Sequence, residues 1–373
     1  MKSRVAIKRC AGYDLLAVEE ALSGAIDSLG GIGTFLRPAS KVLVKPNLLM
    51  AKEPEFGITT HPELVRAVIR ALKKAGCNIF VGDSPSVFGD EIENVAEVYA
   101  RTGIKKICEE EGVNLVEFNK RRMRRGIPLA AMLDDCDFLV NLPKFKTHNF
   151  TLLTGAIKNL FGLVVETYKT EIHKNYFRVK DFSKILVDIY QEAKPCLTIV
   201  DGIVAMEGDG PATAGKLRNT NLLLASADCV ALDAVLALIM GVGPLDILTT
   251  KEAQDRGLGC ADMEKIEIIG EQLKDVVGEP FLLPSASLKS RLIPPPFMNL
   301  AMRMIKYRPY CLHSNCIKCS ACVKACPDKC IKLNNNRIVF DYRECIACFC
   351  CQEVCPASAI KVKKSLLAKV VGL

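Results

Sequence analysis

Two copies of one cysteine spacing constrain this chain more than any other feature. The first reads Cys316, Cys319, Cys322, Cys326-Pro327, and the second Cys345, Cys348, Cys351, Cys355-Pro356. A loop this short brings three thiolates to three corners of a cube. The proline then ends the loop by fixing its own φ and donating no hydrogen bond. A zinc ribbon and a disulfide framework are the competing explanations. Zinc usually takes two separated Cys-x-x-Cys pairs and not triplets, so a duplicated triplet with proline after each fourth cysteine argues against both.

The spacing is that of the bacterial-type ferredoxins, in which three cysteines hold one [4Fe-4S] cluster and the fourth crosses to the other. That pattern assigns Cys316, Cys319, Cys322 and Cys355 to cluster 1, and Cys345, Cys348, Cys351 and Cys326 to cluster 2. The module is an internal duplication that carries Cys316 onto Cys345, Cys326 onto Cys355 and Ile331 onto Ile360. Cys311, Cys330 and Cys350 are extra to it, and none is needed as a ligand.

A length of 373 residues suggests two or three domains, and 50% hydrophobic against 25% charged residues supports a sizeable globular core. No run of about 18 apolar residues suggests a transmembrane helix, and the start Met1-Lys2-Ser3-Arg4 is too polar for a secretory signal. Lone cysteines at positions 10, 77, 108, 136, 196, 229 and 260 show no framework spacing. With the cluster motifs they point to a reducing, anaerobic cytoplasm, and as lone thiols flanking apolar runs they read as buried and inert. The net charge is +8, and residues 316–364 hold nine Lys or Arg against four acids. That surplus can receive an acidic redox partner protein or offset the negative charge of thiolate-ligated clusters. Arg121-Arg122-Met123-Arg124-Arg125 reads as a solvated loop. No aromatic interleaving or nucleic-acid module accompanies it, so nucleic acid is not an expected partner.

Strand-like and helix-like stretches alternate along most of the chain. Apolar runs at 5–10, 41–49, 77–81, 114–118, 137–142, 197–201, 221–225 and 266–270 read as strands. Asp14 caps a helix through about Leu29, and Thr60, with Pro62 and Glu63, caps another to Gly76. Further helices are expected over 91–112 with a break near Gly103, over 182–192, and between Cys229 and Met240. Gly30-Gly31-Ile32-Gly33 follows a helix and opens none, so it is a turn and not a phosphate fingerprint. Nearly all-apolar strands alternating with helices predict an α/β fold, a mostly parallel sheet with helices on both faces, plus a small C-terminal ferredoxin-like α+β domain. The expected domains are 1–283 (α/β), 284–310 (proline-rich linker and a short helix at 297–306), 311–364 (two-cluster module) and 365–373 (an apolar tail).

Open parallel sheets bind ligands beyond the carboxyl ends of their strands. Lys45 and Asn47 follow one strand, Asp83 and Ser84 a second, and Lys144, Lys146 and His148 a third, with Lys158 and Asn159 close behind. Each lysine alone can point to solvent. Together they suggest an anionic ligand such as a phosphate or carboxylate, helped by amides of Gly208-Asp209-Gly210-Pro211. His61 and His148 are candidate acid–base groups, His61 also being placed to serve the helix start. His173 and His313 have no supporting context. No Gly-x-Ser-x-Gly elbow, P-loop or His-Glu-x-x-His occurs, so hydrolase, nucleotidase and zinc-protease chemistry lack a motif.

Lys45-Pro46-Asn47, Gly82-Asp83-Ser84, Leu142-Pro143-Lys144-Phe145-Lys146-Thr147-His148 and Gly155-Ala156-Ile157-Lys158-Asn159, in that order, resemble the motifs of domain-of-unknown-function family 362 over roughly residues 40–240. Members often carry a C-terminal ferredoxin-like domain. The resemblance implies an iron–sulfur protein of anaerobes and archaea with a redox role, and implies no substrate.

The expected function is an iron–sulfur electron-transfer protein or oxidoreductase, passing electrons through two [4Fe-4S] clusters to or from something held by the α/β domain. Two alternatives stand beside it. One is a ferredoxin-linked reductase of a small anionic substrate, or of a flavin-type cofactor, held by the strand-end lysines. The other is a non-catalytic redox-sensing or docking module.

Overall fold

The computed structural model describes residues 2–85, 95–165, 168–285 and 307–364. The linker from residue 286, the helix expected at 297–306 and the tail 365–373 lie outside the described residues. The large domain contains β1 (Ser3–Arg9), β2 (Lys41–Pro46), β3 (Asn78–Val81), β4 (Asn114–Leu115), β5 (Arg121–Arg124), β6 (Ile127–Ala130), β7 (Phe138–Leu142), β8 (Lys144–His148), β9 (Leu152–Thr154), β10 (Leu197–Gly208), β11 (Gly215–Ser226) and β12 (Ile266–Gly270). Its main sheet runs β12-β1-β11-β10-β7-β2-β3-β4, with β8 attached beside β10 and β9 beside β8. The stretch from β10 to β4 is parallel, as are β1 and β12, whereas β11 runs antiparallel to both its neighbours.

The central strands are apolar because both faces are covered. Val42, Val44, Val140 and Ile199 pack with the helices Leu15–Ser28, Pro62–Lys74 and Ile104–Glu110. Leu43, Leu139 and Val200 pack on the other face with Val179–Ala193 and Cys229–Ile239. This is the α/β architecture expected from the sequence.

Several local expectations change. Asp14 caps its helix as read, accepting from the Ala17 N–H at 3.2 Å. Thr60 does not cap the next one. Its hydroxyl donates to the Leu142 carbonyl (2.6 Å) and accepts from the Asn47 N–H (2.8 Å), pinning the end of β2 to that of β7. His61 is the cap instead, Nδ1 accepting from the Glu63 N–H at 3.2 Å. The arginine run is a strand and not a loop, paired with β6, and its Arg124 and Arg125 meet Asp134 and Glu192. The short strands read at 197–201 and 221–225 are parts of a long hairpin, paired from Thr198 opposite Ser226 to Gly208 opposite Gly215 with a shift of register between Gly202 and Val204.

The C-terminal module repeats its secondary structure with its cysteines. Helices Ala321–Lys324 and Cys350–Glu353 each contain the third cysteine of a triplet, Cys322 and Cys351. Antiparallel pairs join Ile331–Asn334 to Arg337–Phe340 and Tyr307–Cys311 to Ile360–Lys364. No helix among the described residues is long and apolar enough to cross a membrane.

Candidate functional site

The strand-end lysines do not point to solvent. Lys45, Lys144 and Lys146 are 0%, 1% and 1% exposed. Burying an ammonium group is costly unless it is paired, and two of the three are paired. Lys45 Nζ lies 2.8 Å from Asp83 Oδ1, and Lys144 Nζ 2.9 Å from Asp201 Oδ2. Burial lowers the pKa of both lysines, and the facing carboxylates pull it back up. Asp83 also accepts from the Leu48 N–H, and Gly162 leaves it room, because a Cβ there would collide with Asp83 and Lys45.

The predicted residues separate into two groups. Asn47, Asp83, Ser84, Lys146, Lys158 and Asn159 line one cavity of about 50 Å³. Asn47, Asn159 and Asn141 form a hydrogen-bonded series (2.8 Å each) that ties its wall to the ends of β2 and β7. His61 lies elsewhere, its ring stacked 3.6 Å from Tyr13, whose hydroxyl meets both Asp201 (2.7 Å) and Lys144 (2.7 Å). His61 and Lys144 therefore belong to a polar cluster outside the cavity wall. The loop 208–211 supplies Pro211 to the wall but not its amides. Gly208 N–H donates to Leu282 and Gly210 N–H to Gly208. No feature of the cavity wall among the described residues supports the flavin-type cofactor expected as an alternative.

Sequence reasoning missed four polar wall residues: Thr154, Lys169, His173 and Glu353. Glu353 comes from the cysteine module. Its Oε1 lies 3.2 Å from Nε2 of His148, at the end of β8. Burial alone would raise the Glu353 pKa, but His148, Lys158 and His173 outweigh it and hold the carboxyl at about 2. Burial pulls His148 and His173 down to about 4, so both are neutral at pH 7. Gln352 accepts from Asn149 Nδ2 at 3.0 Å, Thr213 donates to the Cys355 carbonyl at 2.9 Å, and Lys174 pairs with Asp328 at 3.3 Å. A signal for this docking was present in the sequence. The duplication places Val323-Lys324 in the first copy where the second has Gln352-Glu353, so only the second carries the polar pair the α/β domain receives.

The module's cysteines gather in two sets. Cys316, Cys319, Cys322 and Cys355 line one small cavity, and Cys326, Cys345, Cys348 and Cys351 line another. Each set takes three thiols from one copy and one from the other, a donor set that fits a [4Fe-4S] cluster. Cys330 also borders the second cavity, its Sγ 3.3 Å from that of Cys326. Of the lone thiols, Cys10, Cys108 and Cys229 are buried as expected, while Cys77, Cys136, Cys196 and Cys260 are partly exposed.

A mixed α/β sheet with a two-cluster ferredoxin-type module seated on its strand ends defines a class of iron–sulfur protein. The 4Fe-4S dicluster domain matches residues 308–356, and the domain of unknown function DUF362 matches residues 42–237. The chain belongs to the DUF362 family. A thylakoid-associated protein of Synechocystis sp. is 35% identical to it over 263 residues, covering 69% of this chain and 80% of that protein. Among solved structures, the lactate racemase apoprotein of Thermoanaerobacterium thermosaccharolyticum shares 11% identity at a TM-score of 0.40, over 65% of this chain and 58% of that one.

Proposed function

We propose that this protein is an iron–sulfur oxidoreductase that exchanges electrons with a small anion held in the lysine-lined cavity. One observation carries the reading. Glu353 lies between Cys351 and Cys355 in sequence and forms part of the cavity wall, so the thiol-rich loop and the anion site share a boundary. When bound through the two cysteine sets, [4Fe-4S] clusters supply one-electron chemistry. The chain's own residues do the rest. Lys146, Lys158 and Lys169 attract the anion, and the Asn47–Asn159–Asn141 series holds the wall in place.

His148 is fixed in one tautomer. Its Nδ1 accepts from the Phe150 N–H (3.0 Å) and the Thr151 N–H (3.2 Å), so the neutral ring carries its hydrogen on Nε2, toward Glu353. That fixed donor stands directly behind the wall residue Glu353, and with His173 on the wall itself it is an acid–base candidate for the cavity, whereas His61 lies away from the wall. Lys318, Lys332, Arg337 and Arg343 are exposed on the module and would receive an acidic redox partner. The cysteine content favours a reducing, anaerobic cytoplasm as the place of work.

The test is anaerobic purification with iron and sulfide analysis, followed by reoxidation of the reduced protein with small oxyanions. About eight irons per chain and anion-dependent reoxidation are expected. About four irons, or reoxidation indifferent to every anion and to Lys158→Gln, would sink the proposal.

A further inference from the structure

The cavity carries more positive charge than its own acids offset. Lys45 is matched by Asp83. Lys146, Lys158 and Lys169 have no carboxylate at ion-pair distance among the described residues. Lys146 Nζ donates to the Ile58 carbonyl at 2.6 Å, Lys169 Nζ to the Ser84 carbonyl, and Lys158 Nζ stands 6.0 Å from the centre of the Phe161 ring. Glu353 is the remaining acid on the wall and can offset one of the three.

Two ammonium groups therefore lack a counter-charge in a site shielded from water, where an unpaired cation gives up its proton. Burial lowers all three lysines, Lys169 to about 7; repulsion from neighbouring lysines adds to the effect at Lys146 and Lys169, while Glu353 pulls Lys158 back up. The wall also presents Thr154 Oγ1 and His173 Nδ1, both buried and without a hydrogen-bond partner. Native proteins seldom leave such atoms unmatched.

We infer that the cavity binds a small dianionic oxyanion, of the size and charge of sulfate or hydrogen phosphate, between Lys146, Lys158 and Lys169. The inference rests on the anion reading above and adds the charge and size of the ligand. A dianion supplies the two missing negative charges, and its several oxygens reach the lysines and the Thr154 hydroxyl together. The accessible volume of about 50 Å³ admits an anion of a few heavy atoms. Binding should draw protons onto the lysines, so above pH 7 it should be accompanied by proton uptake.

The test is titration calorimetry on the anaerobic holoprotein at fixed ionic strength, with sulfate and hydrogen phosphate as dianions and nitrate and formate as monoanions. Sulfate should bind one to one, at least ~10-fold more tightly than nitrate, as expected from one additional close charge in a poorly solvated site. The heat should vary with buffer ionisation enthalpy in the direction of proton uptake. Lys158→Gln and Lys169→Gln should each weaken sulfate about 10-fold or more while iron content stays unchanged. Monoanions binding as tightly as sulfate would overturn the dianion assignment and leave the anion reading standing. No anion binding at all would overturn both. Sulfate binding that neither variant alters would mean an adventitious ion only, and would overturn the inference. The comparison of anions on the unmutated protein needs no variant to fold.

Discussion

Glu353 and His148 meet at 3.2 Å across the boundary between the cysteine module and the α/β sheet. The contact joins a carboxylate between two cluster cysteines to a histidine whose other nitrogen is held by two backbone amides. It places the thiol-rich loop against the lysine cavity, and it makes the seating of the module depend on a few identifiable atoms.

Glu353→Ala should loosen that seating without emptying the cysteine sets. Removing a buried acceptor costs about 1–3 kcal/mol. Hydrogen exchange should quicken at 147–151 and 350–353 while iron content stays at the wild-type level. Protection unchanged at both segments would show that the contact does not hold the module in place.

Acid should destabilise the α/β domain in a defined window. His148 and His173 titrate near 6.5 when unfolded and about 4 when folded. A depressed folded pKa means the unfolded chain binds protons first, so their contribution is complete above pH ~6.5 and is lost as pH falls toward 4. Glu353, held at about 2, extends the loss below pH ~4. The His173 ring packs on Phe182 (4.6 Å) and edge-on to Phe161 (5.5 Å). His173→Phe should therefore keep the packing and flatten the upper part of this acid limb. Urea midpoints between pH 8 and 4 would check it, and an unchanged slope in the variant would count against the assignment.

The Lys45–Asp83 pair should behave as a buried unit. Asp83→Asn leaves Lys45 with no counter-charge and should cost about 3–5 kcal/mol, whereas Lys45→Met with Asp83→Leu should recover most of it. Gly162→Ala should resemble the single variant, because its Cβ would press on both partners. Denaturant unfolding of the four proteins would decide this; a double variant as unstable as Asp83→Asn would contradict it.

Crossed ligation makes Cys355 and Cys326 report on opposite clusters. Cys355→Ala should lose the cluster whose other ligands are Cys316, Cys319 and Cys322, leaving about four irons, and Cys326→Ala should lose its twin. EPR of the two reduced variants should show complementary losses. The same signal lost in both would refute the crossing.

Much of this was legible in the sequence. Val42-Leu43-Val44 and Ile199-Val200 announce two-sided burial, and the cysteine spacing announces its own geometry. The strand-end motifs named Asp83, Lys146 and Lys158, which the fold brings to one cavity wall, and Lys45, which pairs with Asp83 behind it. The sequence could not show that β10 and β11 each run to 12 residues, because beyond the buried half Lys216-Leu217-Arg218-Asn219 lacks an apolar run. Thr60 misled because a hydroxyl beside a helix start can equally serve a neighbouring strand end. Lys169 and His173 lie on a helix whose composition reads as polar surface, and only the fold turns that helix inward. Glu353 required noticing that the two cysteine copies differ at one polar pair.

Lys158 lies within electrostatic reach of Cys350, whose thiol meets that of Cys348, so the lysine cavity stands closer to the cluster set of Cys345, Cys348, Cys351 and Cys326 than to its twin. The most direct measurement is an EPR-monitored redox titration of wild-type and Lys158→Met holoprotein. Removing a cation next to the cluster held by Cys345, Cys348, Cys351 and Cys326 should make that cluster harder to reduce. Its midpoint should move down by about 20–60 mV, where ~59 mV is tenfold for one electron, while the other midpoint stays in place. Two unchanged midpoints, or two that shift alike, would contradict the account.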